Sequence, residues 1–339
     1  MKCFFHKLIN YEYYPWYFWH TLLLPFHIWN AIKCKSLFYY TSLNPGLGNS
    51  GGFFADSKKK MLGNIPKSFL LNECILINNG DEIKQLEKQL ISKAYSFPLV
   101  FKPEMGERGI GVAIIFNLEM AKKYLKNVHQ YPIIVQDYCD YKLEFGLFVA
   151  KLPDKPWSIL GVTGKLPMQV IGDGKSDVET LLANDCRYKS QLVRLKKTDL
   201  KLDFVLEADK ILVIEHILNH RLGTKFTNCN HLITDQFVQK IADLCNSIDG
   251  FYYGRFDIKV ADLDNFEAGD FKIIELNGAA SEPTIIYDQE KTGFMNSLRL
   301  MIKHTLIQGY IAKNNIANGI MPMKAMVFKR VMLDHFKLS

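Results

Sequence analysis

Residues 251–260 read FYYGRFDIKV, residues 261–270 read ADLDNFEAGD, and residues 271–288 read FKIIELNGAASEPTIIYD. Two apolar runs, Tyr252–Val260 and Phe271–Leu276, flank a segment rich in Asp, Asn and Gly, which are residues that favour turns. This order predicts a strand, a turn and a second strand. If the two strands pair, they form a hairpin from which the rest of the chain can be placed.

The predicted hairpin gathers polar side chains on one face. Side chains at positions i and i+2 share a face of a strand, so Arg255 and Asp257 point the same way, as do Glu275 and Asn277. The alternate residues are expected to point into a core: Phe256, Ile258, Ile274 and Leu276. The polar face therefore carries two carboxylates, a carboxamide and a guanidinium.

This polar face suggests a magnesium site. Two neighbouring carboxylates repel each other unless a proton, a cation or a metal neutralises them. Mg²⁺ takes oxygen ligands, usually one or two carboxylates together with nucleotide phosphates, so the candidate ligands are Asp257, Glu275 and Asn277. Zinc is a poor fit because no Cys or His accompanies them. The alternative is a surface hairpin in which Arg255 pairs with a carboxylate.

The composition is that of an ordinary globular protein. The 339 residues suffice for two or three packed lobes, with 48% hydrophobic and 23% charged residues. The mean hydropathy of -0.04 argues against a polytopic membrane protein. The net charge of +7 suits an anionic ligand or a membrane surface. No basic run or aromatic–basic motif predicts binding to nucleic acid.

The cysteines are dispersed along the chain and form no CxxC pair. Their number is odd, which is typical of reduced thiols in a cytoplasmic protein and not of a disulfide framework or a zinc site. The seven are Cys3, Cys34, Cys74, Cys139, Cys186, Cys229 and Cys245.

The N-terminal region, residues 11–40, is crowded with aromatic residues. Its apolar part, Trp16–Ile32, is short for a membrane span and is interrupted by polar residues that are costly in hydrocarbon. It also lacks a signal-peptide cleavage site. The segment predicts a pair of helices that pack on the rest of the protein. The alternative is peripheral contact with a membrane interface, where aromatic residues are favoured.

A glycine-rich loop separates two predicted strands, at residues 97–103 and 112–116. Its glycines, Gly106, Gly109 and Gly111, allow backbone N–H groups to converge on phosphate oxygens, with Lys102 adding positive charge. The loop is not a P-loop, which needs GK[ST] at a helix start. It is not a dinucleotide fingerprint, because a strand follows the glycines. Alone, the glycine-rich hairpin is weak evidence for a phosphate site, and it favours a plain turn.

A second candidate nucleotide contact follows the predicted strand at residues 132–139. The strand ends in polar groups, and Glu144 opens the next strand at residues 145–151. Gln136 and Asp137 at such a hinge suit the edge of a base, and Glu144 suits ribose hydroxyls. The alternative is a surface loop.

Taken in order, these segments closely resemble the ATP-grasp superfamily, of the kind seen in D-alanine–D-alanine ligase and cyanophycin synthetase. The segment VIGDGKS at residues 170–176, followed by VETLL at residues 178–182, resembles the cyanophycin synthetase type in particular. The resemblance covers roughly residues 66–288. It implies an α+β fold in which two antiparallel-sheet lobes clasp ATP, preceded by a short, atypical, helical and aromatic N-terminal region.

The resemblance also implies domain limits. These are an N-terminal region (1–65), a first ATP-grasp lobe (66–140), a second lobe with the metal site (141–312) and a C-terminal tail (313–339). Amphipathic helices for core packing are predicted at Thr234–Ile248 and Phe294–Ile311. The tail is basic and apolar, which favours a helix.

The resemblance assigns roles to the candidate residues. Lys102 would contact the α- and β-phosphates, and the loop with Glu104, Gly106, Arg108, Gly109 and Gly111 would close over them. The adenine hinge would be formed by Gln136, Asp137, Tyr138 and Cys139, and the ribose contact by Glu144. The ligands of Mg²⁺ or Mn²⁺ would be Asp257, Glu275 and Asn277. The catalytic residues would be Arg255, at the acyl phosphate, and Lys165, at a phosphate.

Four further residues are candidates for substrate contact. His220 and Arg221 fall where such enzymes carry a mobile loop, and Ser281 and Glu282 follow the predicted metal strand, where the family binds an acceptor. A surface turn is the alternative for the first pair.

The function implied is that of an ATP- and Mg²⁺-dependent ligase, which activates a small-molecule carboxylate as an acyl phosphate and joins it to an amine. One alternative is a kinase of the same fold that phosphorylates a hydroxyl group. The other is a non-catalytic nucleotide-binding protein associated with a membrane. The N-terminal region does not resemble the lobe that precedes the ATP-grasp lobes in D-alanine ligases, so no substrate is assigned. The expected location is the cytoplasm, with peripheral membrane contact as an option.

Overall fold

The structure is a computed structural model that describes residues 7–8, 10, 13–54, 56–77, 80–92, 94–105, 109–127, 132–198, 200–288 and 290–338. Two of the candidate phosphate-loop residues, Gly106 and Arg108, lie outside the described residues, as does Cys3.

The described residues form helices and antiparallel sheets. The α-helices are α1 (Trp16–Cys34), α2 (Lys58–Gly63), α3 (Glu82–Ile91), α4 (Leu118–Asn127), α5 (Val178–Asn184), α6 (Leu192–Leu195), α7 (Asp235–Asn246), α8 (Leu263–Ala268), α9 (Gly293–Ala317) and α10 (Ala325–Leu338). The β-strands are β1 (Glu73–Leu76), β2 (Leu99–Pro103), β3 (Ala113–Ile115), β4 (Ile133–Asp137), β5 (Leu143–Lys151), β6 (Trp157–Leu166), β7 (Met168–Ile171), β8 (Ile211–Glu215), β9 (Lys225–Asn228), β10 (Tyr253–Val260) and β11 (Lys272–Asn277).

The smaller of the two main sheets is antiparallel and has the strand order β1-β4-β2-β3. Alternate residues of β2 and β4, such as Phe101 and Val135, are fully buried and pack against apolar side chains of α3 and α4. Asn117 caps α4, because its side-chain oxygen accepts a hydrogen bond of 2.9 Å from the backbone N–H of Met120. Lys102 directly follows Phe101, so its side chain points to the other face of β2.

The larger sheet is antiparallel, with the strand order β11-β10-β5-β6-β9. One face packs against α7, whose residues Phe237, Ile241 and Leu244 join the largest hydrophobic core. Thr234 caps α7 by accepting a hydrogen bond from the backbone N–H of Phe237, close to the predicted start of this helix. The two antiparallel sheets confirm the α+β fold class predicted from the sequence.

The hairpin of β10 and β11 differs from its prediction in two details. The segment expected to be a turn forms α8, because Asp262 accepts a hydrogen bond from the N–H of Asn265 and Gly269, at a φ of 70°, ends the helix. A β-bulge, at the register shift between Asp257 and Ile258, also changes which residues of β11 face the core. Ile273 is therefore buried in the core, whereas Ile274, expected there, is only partly buried and lies on the opposite, cavity side.

A small unit that the sequence did not predict follows the larger sheet. Strands β7 and β8 form a two-stranded sheet, and α5 and α6 pack against it. The unit has its own hydrophobic core, which includes Met168, Val178, Leu182 and Leu195. Its position between β6 and β9 in the chain makes it an insertion into the larger sheet.

The remaining elements, α1, α9 and α10 with the residues that link α1 to the sheets, form what we call the helical layer. Within residues 13–40, the described part of the aromatic segment, α1 is the one α-helix, whereas a pair of helices was predicted. Pro25 lies inside α1, where it lacks a backbone N–H donor, yet the helix continues to Cys34. Helix α9 starts close to its predicted position but runs to Ala317. In the described chain, no helix is both long enough and apolar enough to cross a membrane.

Close packing joins the helices of this layer. Asn30 of α1 donates a hydrogen bond of 2.7 Å to the backbone carbonyl of Thr305 in α9. Gly309 leaves the space that Asn30 occupies, because a Cβ atom at this glycine would lie 2.1 Å from the Asn30 side chain. Helix α10 joins the layer through Phe328, whose ring centroid lies 4.5 Å from that of Phe38.

The cysteines follow the prediction of free thiols with one exception. Five of those described are free: Cys34, Cys74, Cys139, Cys229 and Cys245. Cys186 is disulfide-bonded, which corrects the prediction at this residue.

Candidate functional site

A cavity of about 600 Å³ lies between the two main sheets. The smaller sheet and the segment after β4 contribute Lys102, Gln136, Asp137, Tyr138 and Cys139. The larger sheet contributes Glu144, Lys165, Arg255, Asp257, Glu275 and Asn277. The fold thus brings candidate residues that are up to 175 positions apart, from Lys102 to Asn277, to one place.

Asp257 is the centre of a buried charge network in the cavity. Its two carboxylate oxygens accept hydrogen bonds of 2.9 and 3.1 Å from the Arg255 guanidinium, a bidentate geometry. The Lys165 ammonium lies 3.2 Å from the same carboxylate and 2.8 Å from that of Glu144. Asn277 donates a hydrogen bond of 3.2 Å to Asp257.

The network favours the charged forms of Asp257 and Lys165. Burial raises the pKa of the Asp257 carboxyl, but Arg255 and Lys165 lower it more, so the pKa lies below its ordinary value. Burial lowers the pKa of the Lys165 ammonium, but Asp257 and Glu144 raise it above its ordinary value. Two buried cations therefore balance two buried carboxylates.

The predicted metal ligands lie on adjacent strands. Asp257 stands opposite Glu275 in the register of β10 and β11, and Asn277 stands opposite Arg255. Within the described residues, no hydrogen bond reaches the Glu275 carboxylate, and no group of three or more His, Cys, Asp or Glu side chains is placed to hold a metal. Two carboxylates and a carboxamide still form an oxygen donor set of the kind that Mg²⁺ takes. Asp257 would join it by giving up a contact with Lys165 or Asn277.

Lys102 connects the two sheets. Its ammonium donates hydrogen bonds of 3.2 Å to the Gln136 side chain and 3.3 Å to the backbone carbonyl of Ile274 in β11. Burial lowers the pKa of Lys102, and Glu73 and Glu275 partly restore it. A phosphate placed between the sheets would supply the anion that this buried cation lacks.

The side chains of the predicted hinge residues Gln136 and Asp137 form hydrogen bonds with other protein groups, which the sequence did not predict. The Gln136 side chain bridges Lys102 and Glu73, to which it donates a hydrogen bond of 3.1 Å. Asp137 accepts a hydrogen bond of 2.9 Å from Asn72. Because their side chains have these partners, the backbone of this segment is the part left to meet a base.

The predicted phosphate loop is described only in part. Gly109 lies on the cavity wall. Gly111 is not part of the cavity lining, and its φ of 75° is a left-handed conformation that favours glycine. Glu104 does not line the cavity: its carboxylate accepts a hydrogen bond of 2.5 Å from the Ser57 hydroxyl. Glu104 therefore holds the N-terminal region against this lobe.

The four substrate candidates are divided by the structure. Glu282 and Ser281 line the cavity, and the backbone carbonyl of Glu282 accepts a hydrogen bond of 2.9 Å from Arg255. His220 also lines the cavity and stacks on Tyr287, with ring centroids 4.9 Å apart. Arg221 is exposed and lies outside the cavity lining.

Several charged residues of the cavity region were missed in the sequence, among them Lys259 and Glu73. Lys259 lines the cavity and donates a hydrogen bond of 3.0 Å to the backbone carbonyl of Cys139. Lys259 lies two residues after Asp257 on β10 and therefore on the same face of the strand. The alternation of side chains along β10 could thus have identified it as a cavity residue. Glu73, the partner of Gln136, had no such signal, because it lies on a separate strand.

The N-terminal region also contributes a loop to the cavity wall. Gly52, Phe53, Phe54 and Asp56 line the cavity. The loop is fixed to the segment after β11, because the backbone carbonyls of Gly51 and Gly52 accept hydrogen bonds from the N–H groups of Ala279 and Ala280.

No protein-family model matches the sequence, and no curated protein matches it. Among solved structures, a bifunctional glutathione synthetase from Pasteurella multocida is 18% identical, with a TM-score of 0.35, over 66% of this chain and 32% of that one. The VanG D-Ala:D-Ser ligase from Enterococcus faecalis is 12% identical, with a TM-score of 0.40, over 74% of this chain and 61% of that one.

A D-alanine–D-alanine ligase from Bacillus anthracis is 13% identical, with a TM-score of 0.40, over 77% of this chain and 67% of that one. The chain thus spans about a third of the glutathione synthetase and about three fifths of the VanG ligase.

Proposed function

We propose that this chain is an ATP- and Mg²⁺-dependent ligase that activates a carboxylate as an acyl phosphate and joins it to an amine. The observation that supports the proposal is the polar face of β10 and β11, with Asp257, Glu275 and Asn277, across one cavity from the buried Lys102. Buried cations and oxygen ligands placed together are what phosphoryl transfer between two anions requires.

In this proposal the nucleotide lies between the sheets. Lys102 binds the phosphates, which replace Gln136 or the Ile274 carbonyl as its partner. The backbone of Tyr138 and Cys139 meets the adenine edge. Glu144 contacts the ribose, a role that competes with its salt bridge to Lys165.

Glu275, Asn277 and Asp257 hold the metal, which supplies charge neutralisation at the transferring phosphate. To bind the metal, Asp257 exchanges a contact with Lys165 or Asn277 for it. The bidentate contact with Arg255 keeps Asp257 ionised and oriented during this exchange. Glu275, which accepts no hydrogen bond in the described part of the chain, is the ligand that needs the least rearrangement.

Arg255 stabilises the acyl phosphate as it forms. The guanidinium is held by Asp257 and by the carbonyl of Glu282, so it reaches the side of the cavity where the candidate acceptor residues lie. A fixed cation in a buried site stabilises developing negative charge without the reorganisation that water requires. The acyl phosphate is then attacked by the amine, which releases phosphate.

A thermal shift assay with ATP, with and without Mg²⁺, tests the proposal. A ligand that binds only the folded state stabilises it by about 2.7 kcal/mol at a hundredfold excess over Kd. We expect a magnesium-dependent shift in the wild type that Glu275→Ala loses. The matched control is Glu267→Ala, which removes an exposed carboxylate on α8 and should keep the full shift.

The products then identify the reaction class. Release of ADP and free phosphate, dependent on an acid and an amine, supports a ligase. ADP with a stable phosphoester would overturn the proposal in favour of a kinase, and a folded wild type with no shift would overturn nucleotide binding itself.

A further inference from the structure

The helical layer has an unusual distribution of charge. No Asp or Glu occurs from Tyr13 to Ala55 or from Lys291 to Leu333, although the chain has 35 acidic residues. The same two segments hold nine basic residues: Lys33, Lys35, Lys291, Arg299, Lys303, Lys313, Lys324, Lys329 and Arg330. These segments contain α1, α9 and most of α10, so the layer carries a large share of the net charge of +7.

Helix α1 also exposes an apolar stripe. Its inward side is buried, with Trp19 and Leu23 each 2% exposed. Its outward side carries Tyr17, Leu24, Ile28 and Ile32 at spacings of seven, four and four positions, with Trp29 beside Ile28, and each is at least half exposed. A group of large apolar residues exposed on one side of a folded protein marks a site of interaction.

The end of α1 combines aromatic, aliphatic and basic side chains. The Lys33 ammonium lies 4.6 Å from the centre of the exposed Trp29 ring, and Leu37, just beyond the helix, is 75% exposed. Trp beside Lys is the pairing favoured where hydrocarbon meets charged headgroups.

Helix α9 shows a similar outward face. Among its exposed residues, three large apolar and three basic ones follow one another at helical spacing: Met295, Arg299, Lys303, Leu306, Tyr310 and Lys313. The buried side of the same helix, with His304 and Thr305, packs against the larger sheet and α1.

Helix α10 continues this surface. Phe328 holds it against Phe38, while Met326 is 85% exposed and Leu333 is 51% exposed. Lys329 and Arg330 are exposed beside them. Three helices thus present apolar and basic side chains together.

We propose that the outward face of the helical layer binds the surface of an anionic lipid bilayer, with the helices lying in the headgroup region. Basic residues complement the anionic headgroups, and the exposed apolar side chains enter the hydrocarbon boundary. A second copy of the chain is a poor occupant, because two such faces repel each other. Nucleic acid would match the basic residues but leave Leu24, Ile28 and Ile32 in water.

The proposed membrane face lies next to the cavity. Phe53 and Phe54 line the cavity, and their ring centroids lie 4.2 Å from Tyr40 and 5.1 Å from Phe328, respectively. A bilayer bound to this face therefore lies beside the cavity wall that the N-terminal region builds.

Vesicle flotation of the full chain tests the proposal without nucleotide, so its outcome is independent of the ligase proposal. The probes are vesicles of phosphatidylcholine alone and of equal parts phosphatidylcholine and phosphatidylglycerol. We expect the protein to float with the mixed vesicles and not with the neutral ones, and added salt to weaken binding because it screens the headgroup charge.

Two surface variants locate the contact. Lys33→Glu/Lys35→Glu and Ile28→Ser/Ile32→Ser should each weaken binding by about tenfold or more, through lost attraction and lost apolar burial respectively. The matched controls change exposed residues outside the layer: Lys155→Glu/Lys197→Glu and Ile91→Ser/Val193→Ser. Thermal unfolding of all four variants at the wild-type temperature shows that the substitutions leave the fold intact.

The proposal is overturned if the wild type ignores the mixed vesicles or binds neutral ones equally well. It is overturned too if the controls lose as much binding as the layer variants. A stable dimer in light scattering that Ile28→Ser/Ile32→Ser dissociates would assign the face to a second copy, and retention of RNA without vesicle binding would assign it to nucleic acid.

Discussion

At the scale of single residues, Asp257 shows how a buried charge is made tolerable. It is 4% exposed, and a lone carboxylate at such a depth would be strongly destabilising. Ion pairs with Arg255 and Lys165 stabilise the Asp257 carboxylate, and Glu144 balances the charge of Lys165. The same four residues that keep the protein folded are candidates for its chemistry, so stability and activity are coupled here.

His304 provides a test of burial at one residue. It is 3% exposed, its ring nitrogen lies 2.9 Å from the Tyr253 hydroxyl, and burial followed by repulsion from Lys303 lowers its pKa from 6.5 to about 3. The folded state therefore keeps the ring neutral, while the unfolded chain takes up a proton below pH 6.5. Acidification from pH 6.5 towards pH 3 should favour unfolding through this residue.

We expect His304 to cost the wild type about 1.4 kcal/mol of unfolding free energy for each pH unit below 6.5. Urea unfolding of wild type and His304→Gln over that range measures the difference. The variant should be less stable at neutral pH and should lose less stability on acidification. Parallel pH profiles for the two proteins would contradict the prediction.

The sequence indicated which residues of the hairpin share a face, because alternation along a strand is a local property. It placed Arg255 beside Asp257 correctly. It did not foresee the partner of Lys165. That contact depends on the pairing of β6 with β5 and of β5 with β10. The residues next to Lys165 do not determine the order of the strands in the sheet.

At the scale of elements, the joints between helices depend on small residues. Gly309 lies where α9 meets α1, and Asn30 fills the space beside it. The Asn30 side chain is tied to Thr305 and to the Tyr39 hydroxyl, so it has no room to move aside. A methyl group at Gly309 must therefore push the two helices apart.

Gly309→Ala should lower the free energy of unfolding by about 1–2 kcal/mol, although alanine is the better helix former. The matched control is Gly63→Ala in α2, where a Cβ atom meets nothing within 4 Å. That control should be neutral or stabilising by about 0.5–1 kcal/mol. Urea unfolding of the two variants decides; equal effects would mean that the contact with Asn30 does not restrict the joint.

Elements differ in how clearly the sequence announces them. Helix α7 was found because its apolar residues recur at the period of a helix, and the structure adds a cap at Thr234. Helix α8 was missed because Asp262 and Gly269 are signals of a turn as well as of helix ends. The bulge at Asp257 was missed because nothing in the alternation of β11 requires it. Such features are settled by tertiary contacts.

At the scale of the whole molecule, the cavity depends on two sheets whose contact across it includes the hydrogen bond from Lys102 to the Ile274 carbonyl. The sequence predicted both sheets but not the insertion with β7 and β8, whose core is separate. Because the insertion packs on its own core, it changes little in the alternation of apolar and polar residues along the strands of the larger sheet.

If ATP binds between the sheets as proposed, it should rigidify both at once. Hydrogen exchange should slow in β2 of the smaller sheet and in β10 and β11 of the larger one when ATP and Mg²⁺ are added together. The internal control is α5, whose core is separate and whose exchange should not change. Protection confined to one sheet would show that the ligand does not bridge the cavity.

The hydrogen bond between Asn30 and Thr305 joins residues that are 275 positions apart. A ribosome adds about 5–20 residues per second, so α1 is made roughly half a minute before the helix that covers its inner side. During that interval Trp19 and Leu23 are as exposed as Ile28 and Ile32. Nascent chains of this protein therefore leave both the inward and the outward apolar residues of this segment uncovered until α9 is complete.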